Sequence, residues 1–171
     1  MNDYKKKKEL EQKLAATADD SAERAETLAL LAWETWALDL PEAENLSREA
    51  LALAEKHGYE RAGAWAKRNL GSLFGAKFDI KDSLRYLNEA MQWFSENDDL
   101  NGQADIHLGL GFRYWSFGDF QKGLEHANSA VTFYEKVGEK NGYGWALTAL
   151  GGFYRDWKDH AQSREYYERA I

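Results

Sequence analysis

The chain has 171 residues, of which 44% are hydrophobic and 30% are charged, and its formal net charge is −7. This balance excludes an intrinsically disordered tail and a membrane-embedded chain, and the acidic charge disfavours nucleic-acid binding, because such proteins present a basic surface to the phosphates. The sequence contains no cysteine, which excludes disulfide bonds and thiolate metal sites.

The N-terminal stretch is basic and then polar. Lysines occupy positions 5–8, and we interpret them as a solvated helical turn, with a tether to a membrane or to nucleic acid as the alternative. No apolar stretch follows them, so they do not begin a signal peptide, and no segment approaches the roughly 20 apolar residues of a membrane span. We therefore expect a cytoplasmic protein with no membrane and no nucleic acid as partners, in which residues 1–20 form a helical extension or linker.

The rest of the chain repeats itself every forty residues without insertion. The recurring features are a leucine–glycine pair, an aromatic residue three positions after the glycine, an aspartate and an alanine. These positions are Leu70-Gly71, Leu110-Gly111 and Leu150-Gly151; Phe74, Tyr114 and Tyr154; Asp39, Asp79, Asp119 and Asp159; and Ala50, Ala90, Ala130 and Ala170. A fixed period of this length is the signature of a repeat array.

Each repeat contains two predicted helices. In the second repeat, helical patterns cover residues 62–75 and 80–96, and the apolar positions of the second pattern fall on one face. The recurring aspartates stand where a second helix begins, where a carboxylate can accept hydrogen bonds from free amides. We expect the recurring glycines to let the partner helix approach closely, with the recurring alanines on the facing side of that contact.

The first-helix residues resemble the tetratricopeptide repeat, which carries the pattern W-x2-L-G-x2-Y. The matching stretches are Lys67-x2-Leu70-Gly71-x2-Phe74, His107-x2-Leu110-Gly111-x2-Tyr114 and Leu147-x2-Leu150-Gly151-x2-Tyr154. The leading tryptophan and the closing proline of the family pattern are absent. The period of forty residues is also longer than the family's common value of about 34. In this respect the chain resembles the long-helix subgroup found in bacterial regulatory and signalling proteins.

This resemblance implies an all-α fold, a right-handed α-α superhelix of about four helix pairs over residues 21–171. The repeats would span about 22–61, 62–101, 102–141 and 142–171, with the last one truncated. Ile171 corresponds to Val131, so the second helix of the last repeat stops early and leaves an apolar end uncovered. We expect either a fragment of a longer protein or a homodimer that pairs through this end.

The resemblance also implies a concave groove lined by the first helices. Carrying the groove positions over to this sequence gives Trp36, Trp65, Arg68, Phe112, Trp115, Trp145 and Arg155. Tryptophan and arginine often dominate the binding energy of protein interfaces. We therefore expect these side chains to be at least partly exposed and to bind a partner, while the alternative is that the aromatic rings pack between repeats.

The sequence indicates no catalytic chemistry. The four histidines do not stand at metal-ligand spacing, no pair of carboxylates stands out as an acid–base couple, and the Gly109-Leu110-Gly111 stretch lies inside a predicted helix. We therefore predict no enzyme, no metal and no cofactor. A small-molecule pocket beside Trp145 is a further alternative.

The predicted function is a protein–protein interaction module whose groove binds a peptide or a segment of a partner protein. The alternative is a regulatory or sensor domain of a larger bacterial signalling protein, such as a regulator, a kinase or a cyclase, that responds to a peptide or a small molecule.

Overall fold

The structure, a computed structural model, describes residues 2–171, with side chains described from Lys5 onward. This described part of the chain forms nine α-helices and no strand. They are α1 (Asn2–Ala16), α2 (Ala22–Thr35), α3 (Leu40–His57), α4 (Glu60–Ala76), α5 (Ile80–Glu96), α6 (Leu100–Ser116), α7 (Phe120–Val137), α8 (Lys140–Asp156) and α9 (His160–Arg169). None of the helices in this range combines the length and apolar content needed to cross a bilayer.

Aspartate side chains cap the second helix of each pair. Oδ1 of Asp39 accepts a hydrogen bond from the Glu42 amide at 2.9 Å. The equivalent oxygen does the same in the three later pairs: Asp79 with the Asp82 amide at 3.1 Å, Asp119 with the Lys122 amide at 3.2 Å, and Asp159 with the Gln162 amide at 3.1 Å. The prediction that these aspartates begin second helices is confirmed, and each cap satisfies an amide that has no partner within its helix.

The six turns that follow α3 to α8 share one backbone conformation. Residues with positive φ recur along the chain as Gly58, Phe78, Asp98, Gly118, Gly138 and Lys158. The left-handed conformation reverses the chain after each of the helices α3 to α8, and glycine adopts it without steric cost. Phe78 adopts it with φ of 61° while its side chain is 84% exposed, so no burial of the ring offsets the unfavourable backbone.

The described chain divides into two compact subdomains. The N-terminal subdomain ends at Trp93, and the C-terminal subdomain runs from Phe94 to Ile171. In the N-terminal subdomain α2 packs against α1, α3 and α4. One buried cluster there joins three of these helices through Leu28, Ala50 and Ala66.

Close helix crossings in the N-terminal subdomain depend on Gly71 of α4. A Cβ atom at this position would lie 2.7 Å from Cγ of Leu87 on α5. The Ser83 hydroxyl donates to the Gly71 carbonyl at 2.7 Å across the same crossing. The glycine therefore provides both the space and the acceptor that join α4 to α5.

In the C-terminal subdomain the same position belongs to Gly111 of α6. A Cβ atom there would lie 3.2 Å from both the Ala127 nitrogen and the Gly123 carbonyl oxygen of α7. A glycine thus stands where Ser83 stood one repeat earlier, and the two backbones meet directly. In the last pair the serine returns, because Ser163 of α9 donates to the Gly151 carbonyl at 2.9 Å.

The prediction that the recurring alanines face the recurring glycines was wrong. Ala130 does not face Gly111 but packs with Ala104 and Ala146 in a separate buried cluster. Ala127, one helical turn earlier, faces the glycine instead. The two helices of a pair run antiparallel, so the facing residue is set by the register of the hairpin, which the repeat period alone does not reveal.

Replacing Gly111 by leucine tests this crossing. The new side chain would meet α7 backbone atoms that cannot move aside, so we expect the free energy of unfolding to fall by about 1–3 kcal/mol. Urea denaturation followed by circular dichroism measures the change. Gly144→Ala is the control, because a Cβ atom there meets only the Ala170 carbonyl oxygen at 3.6 Å. Equal stability of Gly111→Leu and the native chain would contradict the close crossing.

Replacing Phe78 by glycine tests the strained turn. Glycine relieves the strain of the left-handed backbone, and this gain in free energy exceeds the cost of the extra conformational entropy of the unfolded chain. We therefore expect the free energy of unfolding to rise by up to about 1 kcal/mol. The reciprocal change, Gly118→Ala, should lower stability, since its Cβ atom would meet no atom within 4 Å and only the backbone conformation is penalised. Thermal melts of both variants measure this, and a lower melting temperature for Phe78→Gly would refute it.

Candidate functional site

Two of the predicted groove residues in the N-terminal subdomain are half-buried packing residues. Trp36 of the α2 C-terminus lies against the buried cluster of Ala43, Leu70 and Leu73. Its indole Nε1 atom is buried and has no hydrogen-bond partner among the described residues. Trp65 of α4 packs against the cluster that contains Leu28. These contacts fit the alternative that some of the aromatic rings stabilise the fold.

Arg68 is buried, which corrects the expectation that it is partly exposed. Only 6% of it is accessible, and its guanidinium carbon lies 3.5 Å from the centroid of the Trp33 ring. Nη1 of Arg68 donates to Oδ1 of Asn69 at 2.8 Å, and Nδ2 of Asn69 donates to the Ala29 carbonyl at 2.7 Å. A planar guanidinium can be buried when an aromatic face and a fixed acceptor replace water. Arg68 therefore helps to join α4 to α2.

Trp33 is the residue that sequence reasoning missed here. Its ring stacks on Trp36 with the centroids 6.1 Å apart, and its other contacts include the Arg68 guanidinium. The available signal was its spacing, since Trp33 and Trp36 are three residues apart and so lie on one side of α2.

In the C-terminal subdomain, two of the predicted aromatic groove residues are exposed. Trp145 of α8 is 68% exposed and Phe112 of α6 is 39% exposed. The Phe112 ring meets Phe153 of α8 edge to face, with the centroids 5.5 Å apart. Trp145 lies eight residues before Phe153, or about 12 Å along the helix axis. The two helices thus carry two separate exposed aromatic anchors.

The remaining predicted residues of this subdomain have local partners. Trp115 is half-buried and stacks on Phe153 with the centroids 4.3 Å apart and the planes 7° from parallel. Arg155 is exposed, and its Nη2 atom lies 3.0 Å from Oδ1 of Asp156. Trp115 is therefore a packing residue, while Arg155 keeps its charged group at the surface of α8.

A shallow cleft opens beside this aromatic packing. Its volume is about 660 Å³. It lies between the N-terminal half of α7 and the end of α8, and its walls include Phe120, Leu124, Glu125, Tyr154 and Trp157. None of these five residues was among the predicted groove positions. The signal that could have found the cleft is the position of Phe120 and Trp157, which lie within two residues of the left-handed residues Gly118 and Lys158.

Two histidines that the sequence did not connect meet across the α6–α7 hairpin. Nδ1 of His107 lies 2.9 Å from Nδ1 of His126, so one ring donates to the other. His107 stacks on Phe133 and His126 stacks on Tyr114. Gly111 and Gly123 face each other in the same antiparallel register, and this register also brings positions 107 and 126 together. Among the described residues, no group of three or more histidine, aspartate or glutamate side chains is arranged to hold a metal ion.

The histidine pair resists protonation. Burial lowers the pKa of His107 to about 4, and the neighbouring His126 contributes to that shift. Burial also lowers the pKa of His126, although Glu125 acts in the opposite direction and Lys122 reinforces the lowering. Both rings are therefore neutral at pH 7, and a second proton on the pair would place two like charges together.

Acidification should therefore destabilise the α6–α7 hairpin. A histidine whose pKa is lowered in the folded state binds fewer protons there than it does in the unfolded chain. Its contribution to the free energy of unfolding is therefore fully present above pH 6.5 and is lost as the pH falls towards 4. After allowance for solvent screening, we expect a loss of about 1–2 kcal/mol between pH 7 and pH 5. Urea denaturation across this range measures it.

A matched pair of variants isolates the contribution of His107. His107→Gln should flatten the dependence of unfolding free energy on pH, because the glutamine does not titrate. His160→Gln, at an exposed position, should retain the native slope. Identical slopes for the native chain and His107→Gln would show that the pair does not control the acid sensitivity.

Comparisons with known proteins agree with this architecture. Residues 102–171 match the family model described as Tetratricopeptide repeat. The crystal structure of BtubC (BKLC) from P. vanneervenii is similar, with a TM-score of 0.68 and 21% identity, over 91% of this chain and 64% of that chain. A putative kinesin light chain from Podosopora anserina with nearly identical TPR-like repeats is also similar, with a TM-score of 0.59 and 15% identity, over 98% of this chain and 84% of that chain.

No curated protein sequence matches the chain significantly. At these identities the likeness to solved structures shows the fold, an all-α solenoid with TPR-like repeats, and the chain spans 64% of the length of the BtubC chain.

Proposed function

We propose that this chain, whose residues 102–171 match the tetratricopeptide repeat family, holds a segment of a partner protein on the exposed face of α6 and α8. Repeat arrays of this kind generally serve as scaffolds for protein–protein interactions. The function is therefore assigned to a surface and not to a catalytic centre. The predicted regulatory role in a larger bacterial signalling protein stays a prediction.

The exposure of Trp145 is the observation that carries the proposal. Leaving most of an indole in water forgoes roughly 1.5–3 kcal/mol of burial, and the fold already buries other apolar side chains on α8 such as Leu147 and Leu150. A partner side chain that covers the ring would recover part of this energy. Trp145 is thus a candidate anchor of a binding surface.

Phe112 on the neighbouring helix α6 extends this surface. Phe112 occupies the position in its repeat that Gly152 occupies on α8. Gly152 lies on the same side of α8 as Trp145 and Thr148, because the three residues follow helical spacing. A peptide that lies across the two helices could place one apolar side chain on Phe112 and another on Trp145. Arg155 lies ten residues after Trp145, where its guanidinium could orient a carboxylate of the partner.

Selection of a displayed random-peptide library on the intact chain tests the proposal. We expect the selected peptides to carry apolar anchors and to bind with micromolar affinity. Trp145→Ala should weaken this binding at least about tenfold, since truncation of a central aromatic anchor typically costs more than 1.4 kcal/mol. Phe112→Ala should weaken it by a smaller factor. Isothermal titration calorimetry measures the affinities.

Phe78→Ala is the matched control, because it removes another exposed aromatic ring from a helix turn of the N-terminal subdomain. It should leave the peptide affinity unchanged. Circular dichroism melts should show that Trp145→Ala folds normally. Peptides that bind Trp145→Ala and the native chain equally would place the binding surface elsewhere.

A further inference from the structure

The cleft between α7 and α8 has aromatic walls that the fold leaves open to solvent. Trp157 is 52% exposed and Phe120 is 42% exposed, and their ring centroids lie 6.2 Å apart. Tyr154 adds a third ring, with its centroid 6.4 Å from that of Trp157. Trp115 packs against Phe120 and Trp157 from behind, at 4.7 and 6.0 Å, which holds these rings in place.

The rim of the cleft is acidic. Asp119 and Glu125 line it directly. Burial raises the pKa of the Tyr154 phenol, and Tyr166 and the carboxylates of Asp159 and Glu165 add smaller contributions. The carboxylates and the negative faces of the aromatic rings together favour the binding of a cation in the cleft.

One of the two lining carboxylates, Asp119, already pairs with a lysine of the chain. Nζ of Lys122 lies 3.0 Å from Oδ2 of Asp119 and 5.2 Å from the centroid of the Tyr114 ring. Oε1 of Glu125 instead accepts a hydrogen bond from the neutral Gln121 amide at 3.0 Å. Glu125 therefore offers carboxylate acceptor capacity next to the aromatic walls.

We propose that this cleft binds an arginine side chain of a partner protein, with the guanidinium stacked on Trp157 and hydrogen-bonded to the Glu125 carboxylate. A planar guanidinium fits both an aromatic face and a carboxylate, and it sheds water more readily than an ammonium group. The chain shows the same pairing internally, where the Arg68 guanidinium covers Trp33 at 3.5 Å. The cleft lies on α7 and the end of α8, so it goes beyond the α6–α8 face and does not depend on it.

Nuclear magnetic resonance of the intact chain tests the proposal with a defined probe. N-acetyl-arginine amide is titrated into ¹⁵N-labelled protein, and the indole N–H signal of Trp157 is followed. We expect a saturable shift of that signal. N-acetyl-citrulline amide, which has nearly the same shape without the charge, should bind at least about tenfold more weakly because the cation–aromatic and ionic attractions are lost.

Two variants and a control locate the binding. Glu125→Gln should weaken arginine binding several-fold, and its exposed side chain makes the fold insensitive to the change. Trp157→Leu should abolish the binding, as reported by the amide signals of Gln121 and Asn128 on the cleft wall. Trp145→Leu should leave arginine binding unchanged, so failure of this proposal and failure of the α6–α8 proposal give different results.

Three outcomes would overturn the arginine site. Citrulline could bind as tightly as arginine, Trp157→Leu could retain the binding, or the Trp157 signal could stay unmoved throughout the titration. If Trp157→Leu does not fold, Glu125→Gln decides the matter, and an unchanged arginine affinity in that variant refutes the ion pair.

Discussion

The close approach of the two helices in each of the last three pairs is the constraint on which the rest of the structure depends. Gly71 and Gly151 each present a backbone carbonyl to a serine hydroxyl of the following helix, and Gly111 meets a second glycine instead. At such crossings a side chain as small as a methyl group has little or no room. The bulky apolar residues must therefore pack to either side of the crossing or remain at the surface.

This displacement of bulky residues explains how one small protein carries so many exposed rings. The chain contains seven tryptophans and eight phenylalanines, and the buried clusters are built largely from alanine and leucine. Aromatic rings therefore collect beside the turns and on the outer faces of the helices. In the C-terminal subdomain they form a surface anchor at Trp145 and an open cleft at Trp157, two places where a partner could recover the energy of burial.

The crossing also sets the register that brings chemically active groups together. The antiparallel pairing that opposes Gly111 and Gly123 also opposes His107 and His126. Packing against Phe133 and Tyr114 then removes the rings from water, and this burial lowers the pKa of both histidines. We therefore expect a register set by backbone packing to make this helix pair sensitive to acid.

The sequence by itself determined the helical repeat, the aspartate caps and the tight glycine positions, because these depend on local hydrogen bonding and on a period that is visible in one dimension. Only the tertiary structure decided which large side chains face water. Arg68 is buried because Trp33, on another helix, supplies a ring to stack on, and Trp115 is covered because Phe153 lies parallel to it. The His107–His126 contact likewise requires the hairpin register. The exposure of a side chain and its distance from other groups depend on the neighbouring helices, so they cannot be read from the spacing of residues along one helix.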